Sequence, residues 1–149
     1  MIRIFDTRTA QKIGELRRGT TATTITDIAF DLEMRYLTCT SDRATIHIFK
    51  VAYLHKRGNG TTAAASTAAS ENTRSYFSAL SSVVTYAGSE WSFAQFRLQP
   101  SQVSENDLQA VVHQDQLHVV SKKGWYFRVA ITAEGGNLTE YSQTPLLSE

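Results

Sequence analysis

The chain has 149 residues, of which 42% are hydrophobic and 19% charged, and its formal net charge is +1. That is the size and balance of one domain with a real core, and too little for two ordinary domains. A nearly neutral chain has no global field to draw it to nucleic acid or to an anionic membrane, so any anion binding has to come from local clustering.

The predicted elements are mostly short strands. Ile2-Arg3-Ile4-Phe5 alternates and closes at Asp6-Thr7. Gln11 to Leu16 is a second strand, and Ile25 to Phe30 a third, closed by Asp31-Leu32-Glu33. Tyr36 to Thr40 and Thr45 to Val51 follow, joined by the turn Ser41-Asp42-Arg43. The single cysteine, Cys39, lies in this apolar stretch and reads as a buried thiol of a reducing compartment.

Residues 58–72 are almost all Gly, Thr, Ala, Ser and Asn, which predicts a disordered loop. After it, Tyr76, Phe77, Leu80, Val83 and Val84 recur at spacings of three and four, the stripe of an amphipathic helix. Strands then resume at Ser92 to Leu98, Leu108 to His113, Gln116 to Val120 and Trp125 to Ile131. Gly135-Gly136 makes a turn, and Leu138 to Leu147 is a weaker last strand. Even spacing and polar turns predict an all-β array. No apolar run is long enough to cross a bilayer as a helix. With no secretory signal expected, the sequons at Asn59 and Asn137 are read as unused.

A repeat runs through this array. Ile2-Arg3-Ile4-Phe5 and Ile46-His47-Ile48-Phe49 share a pattern with a step of 44 residues, within the period of about 40–45 for WD-type propellers. A third copy fits Trp125-Tyr126-Phe127-Arg128-Val129, one repeat plus an insertion of about 35–40 residues further on. The small-polar turns Ser41-Asp42-Arg43-Ala44 and Ser121-Lys122-Lys123-Gly124 precede two of the copies. Closed propellers need about 4–8 blades, so residues 1–149 are expected to form the C-terminal part of one propeller, with roughly two to three blades. Residues 52–91 are its inserted loop.

The chemistry is concentrated near the start, where Arg3, Arg8, Lys12, Arg17 and Arg18 cluster. In Leu16-Arg17-Arg18-Gly19 two adjacent guanidinium groups diverge, as successive side chains of a strand do. Each presents a planar fork suited to phosphate, and the plain alternative is a solvated surface pair. Thr45 and His47 are two apart and share a strand face, with Ser41 at the turn leading into it. Hydroxyls, an imidazole and a guanidinium together suit a phosphate, whereas His47 alone would read as an edge-strand histidine. No metal-ligand cluster, nucleophile elbow or phosphate loop is present in the sequence, so an enzyme is not expected and no cofactor is called for. Asp27, Asp31 and Glu33 read as turn or cap residues.

The run from Ile2 through the tetrad to Lys50, together with Phe93-Ala94-Gln95-Phe96-Arg97-Leu98 and Trp125 to Ile131, resembles the PROPPINs. These are seven-bladed WD-repeat propellers that bind polyphosphoinositides, with a Phe/Leu-Arg-Arg-Gly signature. The resemblance implies two headgroup pockets for phosphatidylinositol 3-phosphate or 3,5-bisphosphate, one per arginine. The second pocket would use Arg18, Gly19, Ser41, Thr45 and His47; the first would use Arg17 and Arg3, with its other members upstream of Arg3. It also implies that Tyr76, Phe77, Leu80, Val83 and Val84 dip into the bilayer, with Arg74 near lipid phosphates. Packing of that helix on the propeller is the alternative.

The implied role is a peripheral membrane scaffold of autophagy or endolysosomal traffic. It would be cytoplasmic and associated with preautophagosomal, endosomal or vacuolar membranes. Its expected partners are phosphoinositide-containing membranes and autophagy proteins, not nucleic acid. The other reading is a WD-repeat protein-interaction scaffold without lipid binding. An ordinary histidine pKa predicts that protonation of His47 strengthens phosphate binding.

Overall fold

A computed structural model describes residues 1–52, 54, 90–99, 101–102 and 108–146. The amphipathic stripe of Tyr76, Phe77, Leu80, Val83 and Val84, with Arg74 and most of the 52–91 segment, lies outside the described residues. The described residues contain twelve strands. In chain order they are β1 (Ile2–Phe5), β2 (Lys12–Arg17), β3 (Ile25–Phe30), β4 (Tyr36–Ser41), β5 (Thr45–Lys50) and β6 (Glu90–Trp91). Then come β7 (Ala94–Arg97), β8 (Leu108–His113), β9 (Gln116–Ser121), β10 (Trp125–Ala130), β11 (Gly136–Leu138) and β12 (Tyr141–Pro145).

The strands form three sheets, ordered β1-β2-β6, β11-β7-β5-β4-β3 and β12-β10-β9-β8. The runs β3-β4-β5-β7 and β8-β9-β10-β12 are four-stranded antiparallel meanders, the unit of a propeller blade. The β1–β2 pair matches the two outer strands of such a unit. The fold is thus all-β, a partial propeller. β1, β5 and β10 hold the same place in their sheets, as the repeat requires.

Equivalent turns lead into β5 and β10. The Ser41 hydroxyl accepts from the amide of Arg43 (3.4 Å), and the Ser121 hydroxyl accepts from the amide of Lys123 (3.1 Å). Each turn closes on a residue with positive φ, Ala44 (52°) and Gly124 (76°).

Two apolar layers hold the sheets face to face. Ile46, Ile48, Phe96, Leu117, Val119, Phe127 and Val129 fill the first, between the second and third sheets. Leu16, Leu37, Cys39, Phe49, Val51 and Leu54 fill the second, against the β1–β2 pair. Each large side chain buried this way contributes about 1.5–3 kcal/mol relative to exposure. The central sheet is covered on both faces, so every residue of β4 is buried and its sequence shows no alternation. Its polar members bridge the sheets: the Thr38 hydroxyl donates to the carbonyl of Ala110 (2.7 Å) and that of Thr40 to Leu108 (3.2 Å). Asp31, read as a turn residue, accepts from the amide of Tyr36 at 2.7 Å. Arg35 reaches Asp115 across the blades at 3.3 Å. Burial raises the Cys39 thiol to about 11, so it stays protonated.

The predicted last strand is in fact two. Gly135 and Gly136 both take positive φ, and the chain turns so that β11 leaves its own sheet and pairs in parallel with β7. The chain then returns as β12 to pair with β10. β6 does the same one blade earlier, pairing in parallel with β2. Each such short strand covers the outer edge of the preceding blade, an edge that would otherwise expose unpaired backbone groups. Alternation patterns cannot reveal strands of two or three residues.

Candidate anion-binding cavity

The end of β2, the turn into β5 and the outer strand β7 enclose a cavity of about 640 Å³. Arg18, Gly19, Thr20 and Thr21 form one wall. Arg43, Thr45 and His47 form another, and Trp91, Gln95 and Arg97 a third. Three arginines face this space, and the residues lining it include no carboxylate.

Strand alternation sets the second wall. Ile46 and Ile48 go into the core, so Thr45 and His47 turn the other way. Both are nonetheless buried. The Thr45 hydroxyl donates to the carbonyl of Arg43 at 3.2 Å, and His47 Nδ1 lies 3.1 Å from the Ser92 hydroxyl. Burial, then Arg18 and Arg97, lower the His47 pKa to about 4. His47 is therefore neutral at physiological pH, in contrast to the expectation of titration near 6.5. In the tautomer whose Nδ1 accepts from Ser92, Nε2–H is left as a donor; in the other, Nδ1–H donates to Ser92 and Nε2 is an acceptor.

The two arginines of the tetrad are held differently. Arg17 is directly opposite Trp91 in the β2–β6 register, and its guanidinium carbon stands 5.3 Å from the ring centroid. Its Nε donates to the carbonyl of Gly19 at 3.3 Å. Arg18 lies just past the strand, faces the cavity, and donates to the carbonyl of Thr21 at 3.0 Å. The loop after it is tied down by Asp42, which accepts from the hydroxyl of Thr23 and from the amide of Thr24 (3.2 Å). Those bonds, the Thr23 hydroxyl foremost, hold the Asp42 carboxyl below its ordinary pKa.

The structure thus brings Arg18, Gly19, Thr45 and His47 to one cavity. Ser41 is buried in its turn and does not line the cavity wall. Arg17 stacks behind Trp91. Arg3 lies on β1, where its Nε donates to Glu15 at 3.3 Å. Glu15 also receives Lys12 at 3.1 Å, and the Lys12 ammonium is the main cause that holds its carboxyl below the ordinary value. No group of metal-ligating side chains occurs among the described residues, and none of their helices is long and apolar enough to cross a membrane.

Sequence reading missed Arg43, Trp91, Gln95 and Arg97. The signal was register: once Ile46 and Phe96 are both buried partners, pairing sets Gln95 beside His47 and Arg97 beside Thr45.

No family model matches the chain. Autophagy-related protein 18 of Saccharomyces cerevisiae is 45% identical over 53 residues, 36% of this chain and 11% of that protein. The solved structure of Kluyveromyces lactis Hsv2 aligns over 97% of this chain and 40% of its own, with a TM-score of 0.60 at 20% identity. KlAtg21, solved in complex with the coiled coil of AgAtg16, aligns over 95% of this chain and 33% of its own, with a TM-score of 0.57 at 15% identity. The chain therefore spans about two fifths of the Hsv2 propeller. The local sequence match is to autophagy-related PROPPINs, and the fold is that of part of a β-propeller such as Hsv2.

Proposed function

We propose that the cavity binds the phosphorylated headgroup of a phosphoinositide, phosphatidylinositol 3-phosphate or 3,5-bisphosphate. The protein then acts as a peripheral membrane scaffold of autophagy or endolysosomal traffic, not as a catalyst. One observation carries the reading: three guanidinium groups, a histidine and three threonines line a space whose lining residues include no carboxylate. Arginine's fork matches phosphate oxygens in pairs, and charge-assisted bonds are roughly twice as strong as neutral ones. The resemblance to an autophagy-related protein supports the pathway, and the Atg21 complex suggests a coiled-coil partner.

Arg3 and Arg17, on one face of the β1–β2 pair, form the visible half of a second headgroup pocket in this reading. Tyr76, Phe77, Leu80, Val83 and Val84 supply membrane insertion. Weak contacts on one rigid body combine through effective concentration.

Liposome sedimentation tests the reading. Binding is expected to follow 3-phosphorylated inositides and to be lost in Arg17→Thr/Arg18→Thr. Sedimentation indifferent to headgroup chemistry sinks it and favours a protein-interaction scaffold.

A further inference from the structure

The two arginine positions beside the outer strands are copies of one another. In the first sheet Ile2 pairs with Leu16, and in the second Ile46 pairs with Phe96. Leu16, Ile46 and Phe96 are all fully buried, and Ile2 packs against the core from its edge. Superposing these pairs sets Arg3 on His47 and Arg17 on Arg97. The residue after each buried anchor, Arg17 after Leu16 and Arg97 after Phe96, closes its strand with a guanidinium. The pair Arg3 and Arg17 on one blade is thus repeated as His47 and Arg97 on the next.

We propose that Arg97 is a direct anion contact of the cavity, the counterpart one blade on of Arg17. This inference rests on the phosphate-binding reading above and adds a residue that the tetrad does not contain. Register supports it: Arg97 is the strand partner of Thr45, and its neighbour Gln95 is the partner of His47. Arg97 and Arg18 come from different sheets and line the same cavity. Both also disfavour the charged form of His47, which lines the same cavity. Two forks from different blades can hold two faces of a phosphate, or two phosphates of one ring, where a single arginine holds one. The ligand chemistry is a phosphomonoester on an inositol ring, whether lipid-borne or soluble.

The test uses the whole 149-residue chain with soluble inositol 1,3-bisphosphate by calorimetry, and with vesicles containing 3-phosphorylated inositide by sedimentation. Arg97→Gln is expected to weaken headgroup binding about tenfold, with Arg97→Lys in between because it keeps charge and loses the fork. Arg97 is exposed, so the melting temperature is expected to hold within a few degrees. Independently of any ligand, Arg97→Gln is expected to raise the His47 pKa, read by nuclear magnetic resonance titration. Wild-type affinity in Arg97→Gln, alongside lost affinity in Arg18→Ala, overturns the role of Arg97 and leaves the phosphate reading standing. Failure of the wild-type chain to bind either probe overturns both. Binding to the soluble headgroup but not to vesicles keeps the contact and assigns it to a soluble inositol phosphate.

Discussion

The two edge-covering strands make the same backbone move with different side chains. β6 pairs in parallel with β2, and β11 pairs in parallel with β7. At β6 the facing pair is Arg17 and Trp91, joined by a cation–π stack beside the cavity. At β11 the facing pair is Gln95 and Asn137, joined amide to amide. Entry also differs: β11 follows Gly135 and opens on Gly136, both of positive φ, whereas β6 follows the long 52–89 segment. A propeller repeats its scaffold and varies the residues on it, so one copy of a device can serve packing while the other positions a charge. Breaking each cover separately shows which does which.

The largest effect is expected at Gly135. A Cβ there would lie 2.4 Å from the carbonyl oxygen of Phe93 and 2.7 Å from its ring, on a backbone with φ of 68°. That carbonyl also accepts from the amide of Gly136 at 2.9 Å, so it has little freedom to retreat. Gly135→Ala is expected to cost about 3 kcal/mol in urea unfolding, from the clash and the left-handed backbone together. Headgroup binding by the folded fraction is expected to stay at the wild-type level. A cost under about 1 kcal/mol would mean that β11 is dispensable to the edge it covers.

The second cover reaches the cavity through Gln95, the strand partner of His47. His47 makes the next prediction. Its folded pKa of about 4 lies below the ordinary 6.5 because burial, then Arg18 and Arg97, disfavour the charged ring. Above pH 6.5 both folded and unfolded states are neutral there, and stability does not depend on this group. As pH falls from 6.5 to about 4, the unfolded chain takes up a proton that the folded one refuses, so stability drops. The loss amounts to about 3 kcal/mol once pH is below the folded value. His47→Gln is expected to flatten this part of the stability–pH curve, measured by chemical denaturation at fixed temperature. A slope that survives the substitution would assign it to other groups.

The facing pairs come third. Trp91→Ala is expected to release Arg17, costing about 1–2 kcal/mol of stability and weakening headgroup binding several-fold. Trp91→Phe, which keeps a ring beneath the guanidinium, is expected to restore most of the binding. Asn137→Ala, at the matching place in the other cover, is expected to cost about 0.5–1 kcal/mol and leave binding unchanged. Equal effects of Trp91→Ala and Asn137→Ala on affinity would erase the distinction between the two covers.

The sequence made some of this visible and hid the rest for definite reasons. Strands half-exposed on one side, such as β8, alternate plainly and were legible from apolar spacing. β4 was legible only as an apolar stretch, since both its faces are covered. The spacing of Thr45 and His47 showed that they share a face, but not that the hydroxyl and Nδ1 are already engaged locally. The spacing of Ser41 from Thr45 did not show that its hydroxyl accepts from the turn amide of Arg43, as that of Ser121 does from Lys123. Arg97 needed a register across the 52–89 segment, and local pattern carries no register over that distance. The arginine pair was readable as divergent, while the Trp91 ring that holds one member comes from a two-residue strand with no periodicity to read.

The smallest stability effect belongs to the other glycine of interest. A Cβ on Gly19 would meet nothing within 4 Å, and Gly19 is not among the residues of positive φ. Neither sterics nor backbone conformation in the folded chain demands a glycine there, in contrast to Gly135. Gly19→Ala is therefore expected to shift stability by less than about 0.5 kcal/mol. Gly19 is on the cavity wall with its carbonyl occupied by Arg17 Nε, so in the proposed reading the missing side chain leaves room for the ligand to approach. Headgroup affinity is accordingly expected to fall several-fold in Gly19→Ala while the melting temperature stays put. Unchanged affinity would show that the ligand stops short of the backbone and is held by side chains alone.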